Sequence, residues 1–252
     1  MRRFFITLSY NGKNYCGWQI QPNAVSVQET LQESLSTILR QKIDVVGAGR
    51  TDSGVHARNM IAHFDWDDDN QAFDAQELAV KLDRFLPKDI AIRSIKEVLP
   101  NAHARFDAIS RTYSYSVTID KDPFLHEFKH RVHFTPDIVL MNHLCTILLD
   151  TEDFTSFSKL HTDVKTNICN VLHAQWEITN SGDYLFTIKA DRFLRNMVRS
   201  IVGTLLQAGR GKLDEKDFRE IIAAKDRGKA GESAPGHDLF LEKVEYPEGI
   251  WM

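Results

Sequence analysis

The chain has 252 residues, 42% hydrophobic and 26% charged, the balance of a folded globular protein with material for one large domain or two ordinary ones. No stretch approaches the roughly 18 consecutive apolar residues of a membrane span. Three scattered cysteines (Cys16, Cys145, Cys169) argue against a disulfide scaffold or zinc site and for a reducing, cytoplasmic location. The net charge of −4 does not advertise a polyanion binder, yet its distribution is uneven. Residues 65–89 hold eight acids and three bases, whereas residues 189–229 hold eleven bases and six acids, which permits one basic face.

Phe4, Ile6 and Leu8 alternate with Phe5, Thr7 and Ser9, so the charged start of the chain reads as a strand rather than a signal peptide. Ser26 with Glu29 forms a capping-box pattern that opens a helix, and Val27, Leu31, Leu35, Ile38 and Leu39 give it one apolar stripe. Strands are predicted near Ile43–Val46 and Met60–Trp66, and a second helix near Ala75–Phe85, closed by Pro87. Tyr113, Tyr115, Val117 and Ile119 then alternate with polar residues as a half-buried strand. Pro136 and Asp137 start a helix running to about Leu149, and strands follow at Val171–Ile178 and Tyr184–Ala190. Asp191 reads as the cap of a helix whose apolar face runs from Phe193 and Leu194 through Met197, Val198, Ile201 and Val202 to Leu205 and Leu206, ending at Gly209 and Gly211. On that helix Arg192, Arg195 and Arg199 would share a polar stripe. A short helix at Glu215–Lys225 and a strand at Leu239–Tyr246 complete the order.

The two halves repeat a similar sequence of elements. The expected fold class is therefore α+β, with two similar lobes, residues 1–108 and 109–252, joined near Arg105–Ser110. A cleft between such lobes is a natural ligand site.

The densest run of unusual residues is Gly47-Ala48-Gly49-Arg50-Thr51-Asp52-Ser53-Gly54-Val55-His56-Ala57. Its glycines permit sharp turns and close approach of another molecule, and Arg50 with Asp52 makes a plausible reactive pair. A phosphate loop is excluded, because no G-K-[ST] is present. A Ser53–His56–Asp52 triad is poorly supported without a nucleophile elbow, and a metal site on His56 and His63 lacks further ligands at sensible spacing. Read by itself, the loop is equally compatible with a turn that Asp52 merely caps.

The run GAGRTDSGVHA resembles the aspartate signature of the bacterial tRNA pseudouridine synthase A family. Four further segments resemble that family in the same order: Tyr10 with Gly17-Trp18-Gln19 and Gln21; Arg111-Thr112-Tyr113; Asp153-Phe154 with Ser156-Phe157; and Phe193 to Arg199 with Ile201-Val202-Gly203. Ala234-Pro235-Gly236-His237-Asp238-Leu239 resembles the family's A-P-A-x-G-L, with Gly236 in place of alanine and Asp238 in place of glycine, which puts the conformation of that loop in doubt.

The resemblance implies a pseudouridine synthase fold with a central cleft. The implied activity is isomerisation of uridines 38, 39 and 40 in the tRNA anticodon stem-loop by a homodimer, with no cofactor and no metal. It implies Asp52 as nucleophile, attacking either C6 of the base or C1′ of the sugar. It also implies Arg199 as the cation that keeps the carboxylate charged, and Tyr113 as the residue that stacks on the base and assists C5 proton removal. Arg50 would help displace the nucleotide, and the basic residues from Lys189 to Lys229, together with Arg105 and Arg111, are candidates for the phosphate contacts. Two rivals make different predictions. A non-catalytic tRNA chaperone would not need Asp52, and a glycoside hydrolase would release free uracil and usually want a second carboxylate.

Overall fold

The computed structural model describes residues 1–67, 73–159 and 166–252, so Asp68 and Asp69 of the acidic stretch lie outside the described residues. The elements in chain order are β1 (Arg2–Tyr10), α1 (Val27–Leu39), β2 (Val46–Gly47), β3 (His56–Trp66), α2 (Ala75–Phe85) and β4 (Ile90–Val98). After them come β5 (Ser110–Thr118), β6 (His130–Arg131), α3 (Ile138–Leu149), β7 (Val171–Ile178), β8 (Tyr184–Ala190), α4 (Met197–Gly209), α5 (Glu215–Ala224) and β9 (Leu239–Glu245). This is the α+β class that the element order predicts. The chain forms two compact units, residues 1–109 with 241–252, and residues 110–240.

In the first unit β1 is antiparallel to both β3 and β4, with Phe4 opposite Phe64 and Ile6 opposite Ala62 on one side and Ile95 on the other. β2 pairs antiparallel with β3 and brings Gly47 opposite Ala62. Phe4, Ile6 and Leu8 are buried as their alternation requires, each worth roughly 1.5–3 kcal/mol. Phe5 points to the other face and is equally buried, because Tyr246 and Trp251 of the returning C-terminal segment meet its ring edge-on at 5.2 and 5.7 Å. α1 starts where expected, with the Ser26 hydroxyl accepting from Glu29 N–H at 3.2 Å, and it buries Val27, Leu31 and Leu35. The strand expected at Ile43–Val46 shrinks to two residues, whereas the one expected at Met60 begins four residues earlier, at His56.

In the second unit β8 lies between β5 and β7, antiparallel to both, and β6 runs parallel to β5. Along β5, Tyr113 stands opposite Ile188 and Tyr115 opposite Phe186. α3 packs along β7, where the Asn142 amide satisfies the strand by donating to Trp176 C=O at 2.9 Å and accepting from Trp176 N–H at 2.8 Å. α5 opens with a full capping box between Asp214 and Asp217.

The start of α4 also differs from expectation. α4 begins at Met197 rather than near Asp191, because Asn196 takes a left-handed conformation (φ 66°) that no helix can continue through. Asp191 instead accepts from Asn170 N–H and Arg192 N–H at 2.8 and 2.6 Å. Arg192 and Arg195 therefore precede the helix, and the three-arginine stripe predicted with Arg199 does not form.

Candidate active site

Within the first unit, the segment carrying Asp52 is a loop between β2 and β3 pinned largely through its backbone. Ala48 N–H donates to Ile61 C=O, Trp18 N–H to Thr51 C=O, and Val55 N–H to the backbone carbonyl of Asp52 at 3.2 Å. The Thr51 hydroxyl meets Tyr10 Oη at 2.9 Å in a buried contact. Two glycines of the preceding segment make this closeness possible. A Cβ on Gly12 would lie 2.0 Å from Val55 O, and one on Gly17, whose φ is +102°, would lie 2.2 Å from Thr51 O. Trp18 is buried against Gly47, where any side chain would strike the indole. Asp52, the one acid between Gly47 and Ala57, is half-buried on this scaffold.

The neighbours of Asp52 are committed to structure. His56 is buried and its Nδ1 accepts from Gly12 N–H at 3.0 Å, while the Ser53 hydroxyl donates to Tyr15 C=O at 3.3 Å. These bonds assign both residues to holding the 12–15 turn and leave the triad reading without support. His63 is likewise structural: its Nδ1 accepts from Ala104 N–H at 3.2 Å, and burial, aided by the Arg3 charge, pushes its pKa down to about 4. Arg50 stands exposed on the catalytic-candidate loop. Arg105 is exposed as well, its guanidinium 5.8 Å from the centre of the exposed Phe106 ring.

Within the second unit, β5 carries Arg111 and Tyr113, both half-buried. Arg111 Nη1 donates to the backbone carbonyl of Asp191 at 2.8 Å, and the Tyr113 ring meets Phe193 edge-on, 5.1 Å between centres. The residues before α4 thus fold back to brace β5, which is the structural use of Phe193 that a helical reading misses. Arg199 lies in the first turn of α4, and its Nε donates to Ala234 C=O at 2.7 Å.

The atypical segment after Ala234 forms a short 3-10 turn that buries Asp238 completely. Its Oδ2 accepts from Tyr115 Oη at 3.2 Å and lies 3.4 Å from His237 Nε2 and 3.9 Å from His130 Nδ1, while Oδ1 has no hydrogen-bond partner among the described residues. Burial pushes the Asp238 carboxyl up to about 7, against the opposing pull of the Tyr115 bond. The sequence marks position 238 as unusual, but no pattern in it announces a buried acid whose pKa is raised.

Among the described residues no helix is long and apolar enough to cross a membrane. The sequence model of the tRNA pseudouridine synthase family matches residues 6–107 and 145–247. Proteins named tRNA pseudouridine synthase A from Parabacteroides distasonis and Bacteroides thetaiotaomicron are 59% and 56% identical to this chain, in both cases over 100% of it, and over 98% and 93% of their own lengths. A protein of the same name from Clostridium acetobutylicum is 38% identical over 98% of this chain and 100% of its own length.

Proposed function

The chain belongs to the tRNA pseudouridine synthase family, and from that premise we propose that it converts uridines 38, 39 and 40 of the tRNA anticodon stem-loop to pseudouridine, with Asp52 as nucleophile. Isomerisation of uridine within tRNA is the activity of the family, and the α+β architecture is consistent with its fold.

The reaction breaks the N1–C1′ bond, turns the uracil and forms a C5–C1′ bond, while one proton leaves C5 and one is gained at N1. Substrate and product are isomers, so the balance calls for no oxidant, reductant or energy source. A carboxylate can open this sequence by adding to C6 of the base or C1′ of the sugar, and on either route it is returned unchanged. Arg199 is the counter-charge that keeps that carboxylate ionised away from water. Tyr113 stacks on the base and assists loss of the C5 proton, which some base must accept. Arg50 takes part in drawing the nucleotide out of its stack, a step costing a few kcal/mol. Arg105 and Arg111 contact phosphates, and recognition of neighbouring uridines in varied contexts rests on RNA shape and backbone. The working unit is a homodimer with the RNA crossing both subunits, as the family resemblance implies.

The observation that carries this reading is the loop itself. Asp52 is its single acid, half-buried, and the backbone around it is pinned while Ser53 and His56 serve the turn beneath. The test uses tRNA carrying tritium at uracil C5. Wild type is expected to release the label into water, and Asp52→Asn to release none while still binding tRNA. Release at the wild-type rate by Asp52→Asn overturns the assignment, and free uracil as product would point to hydrolysis instead.

A further inference from the structure

Arg199 does not stand on α4 unaided. A strap of chain, residues 227–234, lies along the first two turns of the helix and is stitched to it at Gly231, Ser233 and Ala234. Residues 199 and 234 exchange two bonds: Ala234 N–H donates to the backbone carbonyl of Arg199 at 2.9 Å, and Arg199 Nε donates back to Ala234 C=O at 2.7 Å. One turn on, Gly231 N–H donates to the buried Thr204 hydroxyl at 2.9 Å, which itself donates to Ser200 C=O. Between these points the strap sits so close that a Cβ on Gly203 would lie 1.8 Å from Glu232 O.

The Ser233 hydroxyl oxygen joins strap and helix. It accepts from Asn196 Nδ2 at 2.6 Å, on the residue that caps α4, and from Arg227 Nη2 at 2.8 Å. Arg227 also donates through Nη1 to Gly231 C=O at 3.0 Å. This guanidinium is spent on neutral oxygens of the strap, and its burial lowers its pKa. A cation placed that way shapes a loop rather than neutralising an acid.

We infer that the strap is a clamp that aims the Arg199 guanidinium, and that Arg227, Ser233 and Asn196 are positioning residues for the reaction. The inference rests on the reading of Arg199 as the counter-charge of Asp52. A guanidinium is a rigid planar fork, so fixing Nε on one carbonyl fixes the plane and direction of the Nη1/Nη2 edge, the edge a carboxylate would meet. An arginine anchored only by its flexible stem would sample many directions, and small misplacements of a reacting group cost heavily.

The test is single-turnover tritium release from C5-labelled tRNA by the full-length enzyme, with tRNA affinity and thermal midpoint measured beside it. Ser233→Ala removes the shared acceptor. Asn196→Gly removes the amide while keeping a residue that adopts the left-handed conformation without strain. Both are expected to slow the chemical step by about tenfold to a hundredfold, with tRNA affinity within about twofold of wild type. Ser233→Thr, which keeps the hydroxyl, is expected to restore the rate. A purely packing role would lower the melting temperature without this kcat-against-KM split or its rescue. Wild-type turnover by either deletion variant overturns the clamp, as does a loss carried wholly by tRNA binding. Arg199→Ala run alongside separates the layers. If it turns over normally, the role of Arg199 falls. If it is crippled while Ser233→Ala and Asn196→Gly are not, only the clamp falls.

Discussion

The loop around Asp52 is held mainly by backbone groups, whereas Arg199 is gripped through its own side chain. In the first case Thr51, Asp52 and Gly54 are tied to Trp18, Val55 and Tyr15 by amides and carbonyls, and almost any side chain could be exchanged without untying them. In the second, the guanidinium itself makes the bond that orients it. The difference teaches where each half is fragile: the aspartate loop through the glycines beneath it, the arginine through the chemistry of its head group.

Arg199 gives the larger effect. Arg199→Ala is expected to lower the single-turnover rate by about 10²–10³-fold, the scale for losing one preorganised charged group. Arg199→Lys should recover little of this, because a single ammonium cannot bond Ala234 C=O and present a flat two-nitrogen edge as well. A lysine variant within a few-fold of wild type would show that charge alone suffices and would erase the contrast between the two regions.

Next come the close-approach glycines, one pair member in each unit. Gly17→Ala places a methyl group 2.2 Å from Thr51 O at a backbone angle that disfavours it, and Gly203→Ala places one 1.8 Å from Glu232 O. Each should cost about 3 kcal/mol or more of stability, read as a fall in the denaturation midpoint. Activity should fall in both. Gly17→Ala displaces the backbone under Asp52, and Gly203→Ala lifts the strap that aims Arg199, so both should lose turnover at temperatures where the protein is still folded. If Gly203→Ala is less stable but fully active, the strap is packing and nothing more.

How much of this could be read beforehand depended on period. The bounds of α2, β7 and β8 were legible to the residue, although the pairing of β7 with β8 shifts register between Val171 and His173. β4 was not foreseen: its pairing with β1 shifts register between Thr7 and Leu8, so Ile90 and Ile92 fall out of step with Ile95, and the alternation is lost. The start of α4 was misplaced because Phe193 and Leu194 fit a helical stripe by spacing, and only the backbone conformation of Asn196 stops it. In the aspartate loop the glycines were visible, but not which carbonyls they make room for. The roles of His56 and Ser53 as turn braces, and of Arg227 and Ser233 on the strap, depend on partners 38 to 44 residues away for the loop and 37 from strap to helix, or on local geometry that no motif encodes.

The smallest expected effect sets one buried ionisable group in each unit against the other. His63 faces Arg3, His103, Asp65 and Asp107, and burial holds its pKa near 4, so the folded state refuses a proton that the unfolded chain accepts below about 6.5. Its contribution is fully present above that value and is lost as pH falls towards 4. Asp238 faces Tyr115, His130 and His237, and burial holds its pKa near 7, so the folded state keeps a proton that the unfolded chain releases near 3.9. Its contribution is fully present below about 3.9 and is lost as pH rises towards 7. The two slopes oppose each other across nearly the same window. Relative to wild type, Asp238→Asn should therefore gain stability as pH rises from about 4 to about 7, and His63→Gln should gain it as pH falls from about 6.5 to about 4, each by on the order of 2 kcal/mol. Melting temperatures of the three proteins across that range decide it: parallel curves would mean that neither group changes its proton on unfolding, whereas curves diverging in opposite senses show one unit storing a proton that the other excludes.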